Sequence, residues 1–310
     1  MNHPWSRAAR GVLWVSGALG TLLIPAFLTA SAAGQGEPPA PCKECATLNE
    51  TQKPFRVYGN TYYVGVRGLS SILITSDRGH VLIDGDLAES APKIAASVRQ
   101  LGFRIEDVKL ILNSHAHFDH AGGIAELQRL TGATVAVSPS SAKVLQEGHS
   151  GRDDPQFGSS RGIAPVAHVR VVKDGETLTV GPLQLTAHLT PGHTPGGTTW
   201  TWKSCERERC LDVVYADSLM PISRDGFLFT RNTTYPNVLN DFEKSFNTLD
   251  ALPCDILLTP HPDTSDLWTR LERHDRGAGA EAFVDPTACR RLAEGARKRL
   301  EARVMAERKS

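Results

Sequence analysis

Three imidazoles and a carboxylate fall within six residues, His115-Ala116-His117-Phe118-Asp119-His120, directly behind the apolar run Val108-Lys109-Leu110-Ile111-Leu112. A run of that length and composition reads as a buried strand. The polar cluster therefore stands where a strand empties into a loop, the place where α/β folds gather their ligands. His115 and His117 are two apart at the strand end, so both side chains leave the same face. Asp119 and His120 lie where the chain turns, free to reach a second point nearby.

Neutral imidazole and carboxylate suit zinc. One ion could hardly take all four groups, and two neighbouring ions need ligands from elsewhere in the chain. His193, in Thr190-Pro191-Gly192-His193-Thr194-Pro195-Gly196-Gly197, and His261, in Leu258-Thr259-Pro260-His261-Pro262, can supply them. In the first stretch glycines and prolines clear space and fix the backbone; the second again ends an apolar strand. A single His beside Pro is ordinarily a surface or capping residue, and only the upstream cluster makes these two expected ligands. His80, His168, His188 and His274 have no ligand-like neighbours and read as ordinary polar residues, as does His149, which stands in a loop that could meet a substrate.

Around this motif the pattern predicts alternating strands and helices. Short strands are expected at Phe55–Tyr58, Thr61–Val66, Ser71–Thr75 and His80–Asp84, then a helix over Ala88–Leu101 stopped by Gly102. A helix over Gly122–Leu130 follows the motif, then a strand at Thr134–Val137. A second series is expected at Val169–Val172, Thr177–Val180, Leu183–Leu189, Thr198–Lys203 and Leu211–Tyr215. A helix over Val238–Leu252, a strand at Ile256–Thr259 and a polar helix from Pro286 to the end complete the chain. Two rounds of strands then helices predict an α/β fold of two sheets stacked face to face with helices outside. The polar, Gly- and Ser-rich stretch 148–163 reads as a long loop, which in a compact domain is usually functional or disordered, and 221–236 reads as another irregular stretch.

The first 33 residues have the layout of a signal peptide: Arg7 and Arg10, an apolar Gly11–Leu28, then Ala30-Ser31-Ala32-Ala33 for cleavage. An uncleaved anchor is the rival reading, and Pro25 with the Ala-rich stretch favours cleavage. The remainder, 34–310, carries no linker and reads as one domain. Loss of the leader takes the formal charge from 0 to −2, so no basic patch implies nucleic acid, and no later run could span a bilayer. All six cysteines follow the leader, and an even count in an exported chain argues for disulfides, with 15 connectivities open. Proximity suggests Cys205–Cys210 across a hairpin tip and Cys42–Cys45 near the start, leaving Cys254 and Cys289. The Cys42-x-x-Cys45 pair could instead be half a zinc site or a redox pair, but no second such pair and no preceding strand support either.

Taken together, His-x-His-x-Asp-His, Gly192-His193-Thr194-Pro195-Gly196 and the strand-end His261 resemble the metallo-β-lactamase superfamily over essentially the whole mature chain. The resemblance implies an αββα sandwich. Within it, His115 at the head of the cluster and a serine in Tyr215-Ala216-Asp217-Ser218-Leu219, where other subclasses carry a cysteine ligand, are similar to subclass B3, as are Gly196–Trp202 and the Cys254/Cys289 pair. It implies two Zn2+ ions, one on His115, His117 and His193 and one on Asp119, His120 and His261. Met220 departs from the small hydroxyl residue that many relatives place two positions after the serine.

The implied activity is hydrolysis of β-lactam antibiotics by a periplasmic or secreted monomer, conferring resistance. Two zinc ions lower the pKa of a shared water from about 15.7 towards about 7, so no covalent serine intermediate is needed. Asp119 would orient the nucleophile, and Ser218 and Gln156 would contact substrate, with Phe157, Arg224, Arg231 and Asn232 as further loop candidates. The alternative is a lactonase or glyoxalase-type thioesterase of the same fold, in which Asp217 would bridge both metals. A zinc-binding protein without turnover is the reading outside enzymes.

Overall fold

The computed structural model describes residues 42–309; the leader expected over 1–33 lies outside them. The first sheet contains seven strands in sequence order: β1 (Phe55–Tyr58), β2 (Thr61–Tyr63), β3 (Ile72–Ile74), β4 (His80–Ile83), β5 (Val108–Leu112), β6 (Thr134–Val137) and β7 (Val169–Val171). Its first four strands form an antiparallel meander, and β4 to β7 run parallel. Parallel neighbours need crossovers. These are α1 to α5 in part: α1 (Cys45–Leu48) precedes the sheet, while α2 (Ala91–Gln100), α3 (Phe118–Ala121), α4 (Ile124–Thr131) and α5 (Pro139–Glu147) make the connections.

The second sheet has five strands: β8 (Thr177–Val180), β9 (Leu183–Leu189), β10 (Thr198–Glu206), β11 (Arg209–Tyr215) and β12 (Ile256–Leu258), in the order β12-β11-β10-β9-β8. Only β11 and β12 are parallel, joined through α6 (Val238–Ala251). Helices α7 (Leu267–Arg273) and α8 (Ala288–Lys309) end the chain. This is the expected αββα sandwich.

Alternation explains the layers. In β9 the buried Leu183, Leu185 and Ala187 face the first sheet, while Gln184 is exposed on the other side. The core between the sheets joins Tyr63, Ile72, Ile74, Ile83 and Leu112 to Leu185, Trp200, Val213 and Tyr215. Outside the first sheet, Leu73, Leu82 and Ile111 pack on Ile94, Val98, Leu127 and Leu145 of the helices. Outside the second, Val214 and Leu257 pack on Phe242, Phe246, Ala293 and Leu300. Strands β3, β4 and β12 are buried on both faces and so read as continuous apolar runs rather than alternating ones.

Three disulfides are formed: Cys42–Cys45, Cys205–Cys210 across the β10–β11 hairpin, and Cys254–Cys289, which ties the start of β12 to α8. No helix among the described residues is long and apolar enough to cross a membrane.

Candidate metal centre

The six expected ligands come from three strand ends at one edge of the sandwich. β5 delivers His115 and His117, with Asp119 and His120 on the first turn of α3; the β9–β10 loop delivers His193; the residues after β12 deliver His261. The backbone ties the strand ends together. Thr198 N–H donates to Ser114 O at 2.8 Å, Gly85 N–H to His120 O at 2.8 Å, and Ser70 N–H to Pro260 O at 2.8 Å.

The side chains converge in two groups. In His115, His117 and His193, and separately in Asp119, His120 and His261, one donor atom per residue lies within 4.8 Å of the others. The groups adjoin, since the rings of His115 and His120 have centroids 4.4 Å apart. The first group is wholly buried, whereas the His261 side chain is 40% exposed, so the site opens on the His261 side.

Each imidazole of the first group is held through one nitrogen, which leaves the other to face inward. His115 Nδ1 lies 2.7 Å from Asp217 Oδ1, His117 Nε2 lies 2.9 Å from Asp154 Oδ2, and His193 Nδ1 donates to Met220 O at 2.8 Å. His115 Nε2 is buried without a partner among the described residues, which is the condition expected of a ligand atom awaiting an ion. The donor chemistry fits zinc: neutral imidazoles backed by carboxylates or a carbonyl.

The electrostatics keep His115 and His193 neutral. Burial drives His115 well below its ordinary value, and the neighbouring His120, His117 and His193 push it further. Burial and His117 lower His193 to about 3. Burial would also lower His117, but the Asp154 carboxylate beside it outweighs this and raises it. Asp119 is driven well below the usual carboxylate range: burial opposes this, and His120 with His261 overcomes it. Burial pushes Asp217 well up. With an ion on His115 Nε2 the pair's proton would sit on Nδ1, where Asp217 Oδ1 accepts it.

Asp217 therefore stands behind His115, across the ring from Nε2, and belongs to neither ligand group. Its place depends on a glycine: a Cβ at Gly197 would come within 2.4 Å of Asp217 Oδ2 and 2.3 Å of Thr190 O.

Three supporting carboxylates had no signal of their own in the sequence. Asp84, after β4, accepts from Asn113 Nδ2, Ser114 N–H, Ser114 Oγ and Tyr215 Oη at 2.7–2.9 Å, so it fixes the loop that carries His115. Asp86 accepts from Ser71 Oγ and Val66 N–H at 3.2 and 3.3 Å. Both hold left-handed backbone, with φ of 61° and 53°, a conformation that non-glycine residues keep only where the surroundings enforce it. Asp154 comes from the loop 148–163.

Of the expected substrate contacts, Gln156 Nε2 comes within 3.5 Å of His193 Nε2, and Ser218 lines a small cleft with His261. The Arg224 N–H donates to Pro155 O at 2.9 Å, which joins the two long loops. Asn232 is engaged locally with Tyr235 N–H and Phe229 O, and Phe157 lies against Arg152. Among the described residues, nothing brings Arg231 to the histidines. His80 stacks edge-on against Phe103 and His188 meets Thr201, both outside the two groups. Two serine patterns of covalent catalysis also occur, Gly158-Ser159-Ser160-Arg161-Gly162 and Ser140-Ser141-Ala142-Lys143. The first lies in a turn-rich loop rather than a strand-to-helix elbow, and among the described residues Ser160 Oγ donates to Arg161 O.

Comparison with known proteins agrees with this geometry. The family model described as metallo-beta-lactamase superfamily matches residues 64–269. The chain is 57% identical to the Rm3 metallo-beta-lactamase, with a TM-score of 0.85 over 86% of this chain and 99% of that one. It is 53% identical to MEM-A1, a subclass B3 metallo-beta-lactamase from a soil metagenome library, with a TM-score of 0.82 over 84% and 98%. Likeness to curated relatives is weaker. A hydroxyacylglutathione hydrolase of Methylobacterium nodulans is 29% identical over 64% of this chain and 69% of its own. The alignments cover 36%, 39% and 49% of the length of three other curated relatives. With the match running through both sheets and all six converging residues, the chain belongs to the metallo-beta-lactamase superfamily, and within it resembles the subclass B3 enzymes.

Proposed function

We propose that the protein is an exported di-zinc hydrolase that opens the ring of β-lactam antibiotics, penicillins, cephalosporins and carbapenems, and so confers resistance to them. The observation that carries the reading is 57% identity along 99% of a solved metallo-beta-lactamase, in a chain that brings all six donor residues into two adjoining groups. His115, His117 and His193 would hold one zinc, and Asp119, His120 and His261 the other. Zinc, when bound, supplies Lewis acidity: it polarises an amide carbonyl and acidifies water at neutral pH.

The chain's own residues then divide the work. Asp217, Asp154 and the Met220 carbonyl orient the first three imidazoles and fix which nitrogen faces inward. Asp119 stays ionised and can orient a water by accepting its hydrogen bond. Gln156 Nε2, beside His193, is a donor within reach of a substrate oxygen, and Ser218 stands at the His261 side. Preset donors of this kind stabilise developing charge without having to reorganise.

Against the thioesterase or lactonase reading stands Asp217, whose Oδ1 is engaged with His115 Nδ1 rather than placed among the ligands. Export is supported by the leader pattern and by three disulfides, which persist in oxidising compartments. We take the working form to be a monomer. The test is a turnover panel on zinc-loaded protein with a penicillin, a cephalosporin, a carbapenem and a monobactam, and one lactone and one thioester as controls. Turnover confined to the lactone or the thioester would replace the reading with its rival.

A further inference from the structure

A glutamate lies buried at the end of an otherwise polar helix. Glu307, in the last turn of α8, is only 5% exposed. A buried carboxylate is costly unless it is paired and hydrogen-bonded, and its partners come largely from another part of the chain. Glu307 Oε1 accepts from the Phe229 N–H at 3.1 Å, and Oε2 accepts from the Thr230 N–H and from Thr230 Oγ1, both at 3.0 Å. One turn earlier, Arg303 Nε donates to Glu307 Oε1 at 2.7 Å, while its Nη2 donates to Ser223 Oγ at 2.8 Å and to Phe227 O at 3.2 Å. The same guanidinium lies over the Phe229 ring, 5.4 Å from its centroid. Two side chains of α8 thus hold Ser223, Phe227, Phe229 and Thr230, all in the stretch 221–236.

That stretch contains neither strand nor helix, so its shape depends on bonds of this kind. Its root stands at the metal centre. Met220, directly before it, offers the carbonyl that accepts from His193 Nδ1, and the Ile222 N–H turns back to the same carbonyl at 2.9 Å. The Arg224 N–H donates to Pro155 O, beside Gln156, whose Nε2 comes within 3.5 Å of His193 Nε2. Ser223, held by Arg303, lies between those two attachments. Burial would raise the pKa of Glu307, but Arg303 with Thr230 and Phe229 overcomes it, so the carboxylate stays ionised at neutral pH.

We propose that Arg303 and Glu307 are positioning residues for substrate binding: from the end of α8 they hold residues 221–230 in the arrangement that completes the mouth of the metal centre beside His193. The inference rests on the β-lactam reading above. Both residues act through Ser223 and residues 227–230 rather than by contact with the metal ligands. Released, the stretch spends only a fraction of its time in that arrangement. Apparent affinity then falls by that fraction, while substrate that is bound reacts as before.

The test compares zinc-loaded wild type, Glu307→Ala and Glu307→Gln on a carbapenem, with hydrogen exchange followed at the Phe229 and Thr230 amides. Glu307→Ala should raise KM on the order of 10-fold and leave kcat unchanged. The two amides should exchange faster than in wild type. Glu307→Gln keeps one acceptor oxygen and should lie between on both measures. A merely structural loss gives the opposite split, since fewer folded molecules lower the apparent kcat at an unchanged KM. Should Glu307→Ala fail to fold, Arg303→Gln takes its place: that side chain is 35% exposed, and its loss frees Ser223 and Phe227 with the same rise in KM expected. An unchanged KM, a fall in kcat alone, or unchanged exchange at both amides overturns the proposal and leaves the β-lactamase reading in place. A wild type that turns over no β-lactam overturns both.

Discussion

His117 is held from behind by a loop residue: its Nε2 donates to Asp154 Oδ2 at 2.9 Å, across 37 residues of sequence. Asp154 Oδ1 accepts from the Gln156 N–H at 2.8 Å, so one carboxylate sets both the ring of an expected ligand and the start of the segment that brings Gln156 to His193. The long loop is thereby an extension of the metal centre rather than a cover over it. Partners of this kind typically contribute 10- to 100-fold, by order of magnitude, to metal affinity. Asp154→Ala should lose about that much in a chelator competition, and Asp154→Asn, which keeps an acceptor, should fall between. Equal affinities in all three would remove Asp154 from the account.

Asp84 should carry a larger share of stability than of chemistry. It is fully buried, burial raises its pKa against the pull of His120 and Ser114, and four donors converge on it. Asp84→Ala strands those donors at about 1–3 kcal/mol for each one left unsatisfied, so the total loss should exceed about 3 kcal/mol in urea unfolding. A loss below about 1 kcal/mol would show that water or repacking replaces the carboxylate.

The acid limb of stability should include His188. Its Nε2 lies 3.0 Å from Thr201 Oγ1, and burial lowers its pKa, with Asp174 opposing. The folded state thus binds this proton less readily than the unfolded chain, whose histidine titrates near about pH 6.5. Below that pH the unfolded chain holds more protons, and stability falls with acid. The contribution is fully present above about pH 6.5 and lost as the pH falls through the folded value. His188→Gln should therefore gain on wild type between about pH 7 and about pH 5 in paired unfolding curves. A gap that stays constant over the range contradicts this.

The Cys254–Cys289 bridge closes a stretch with a separation of 35 residues and fastens α8 to β12. Loop-closure entropy for such a span is worth about 3–4 kcal/mol. The double serine variant should lose that order of stability by denaturant titration, and it should loosen α8 before the metal groups.

Much of the site was legible because its chemistry is written locally. His115 and His117 sit two apart at a strand end, and their grouping follows from the strand alone. His193 and His261 are readable only through that cluster. Strands such as β6, β8 and β9 match their expected bounds, since alternation and turn residues mark them. Helix α5 is not among the expected elements although Ser138 caps it, Pro139 opens it and Gly148 ends it in left-handed backbone; it is only nine residues long and lies between stronger signals. The roles of Asp84 and Asp154 were not legible, because they exist only once residues 30 and 37 positions apart meet. Asp217 was legible as the ambiguous residue of the two activities, and the fold puts it behind His115.

Two adjoining donor groups that hold two zinc ions should together open a β-lactam ring. The direct measurement is metal content and carbapenem hydrolysis on the same preparation, before and after a chelator and again after zinc is restored. The expected result is two zinc ions per chain, with turnover lost with the metal and regained with it. Protein shown to hold two zinc ions that leaves the carbapenem intact would contradict it.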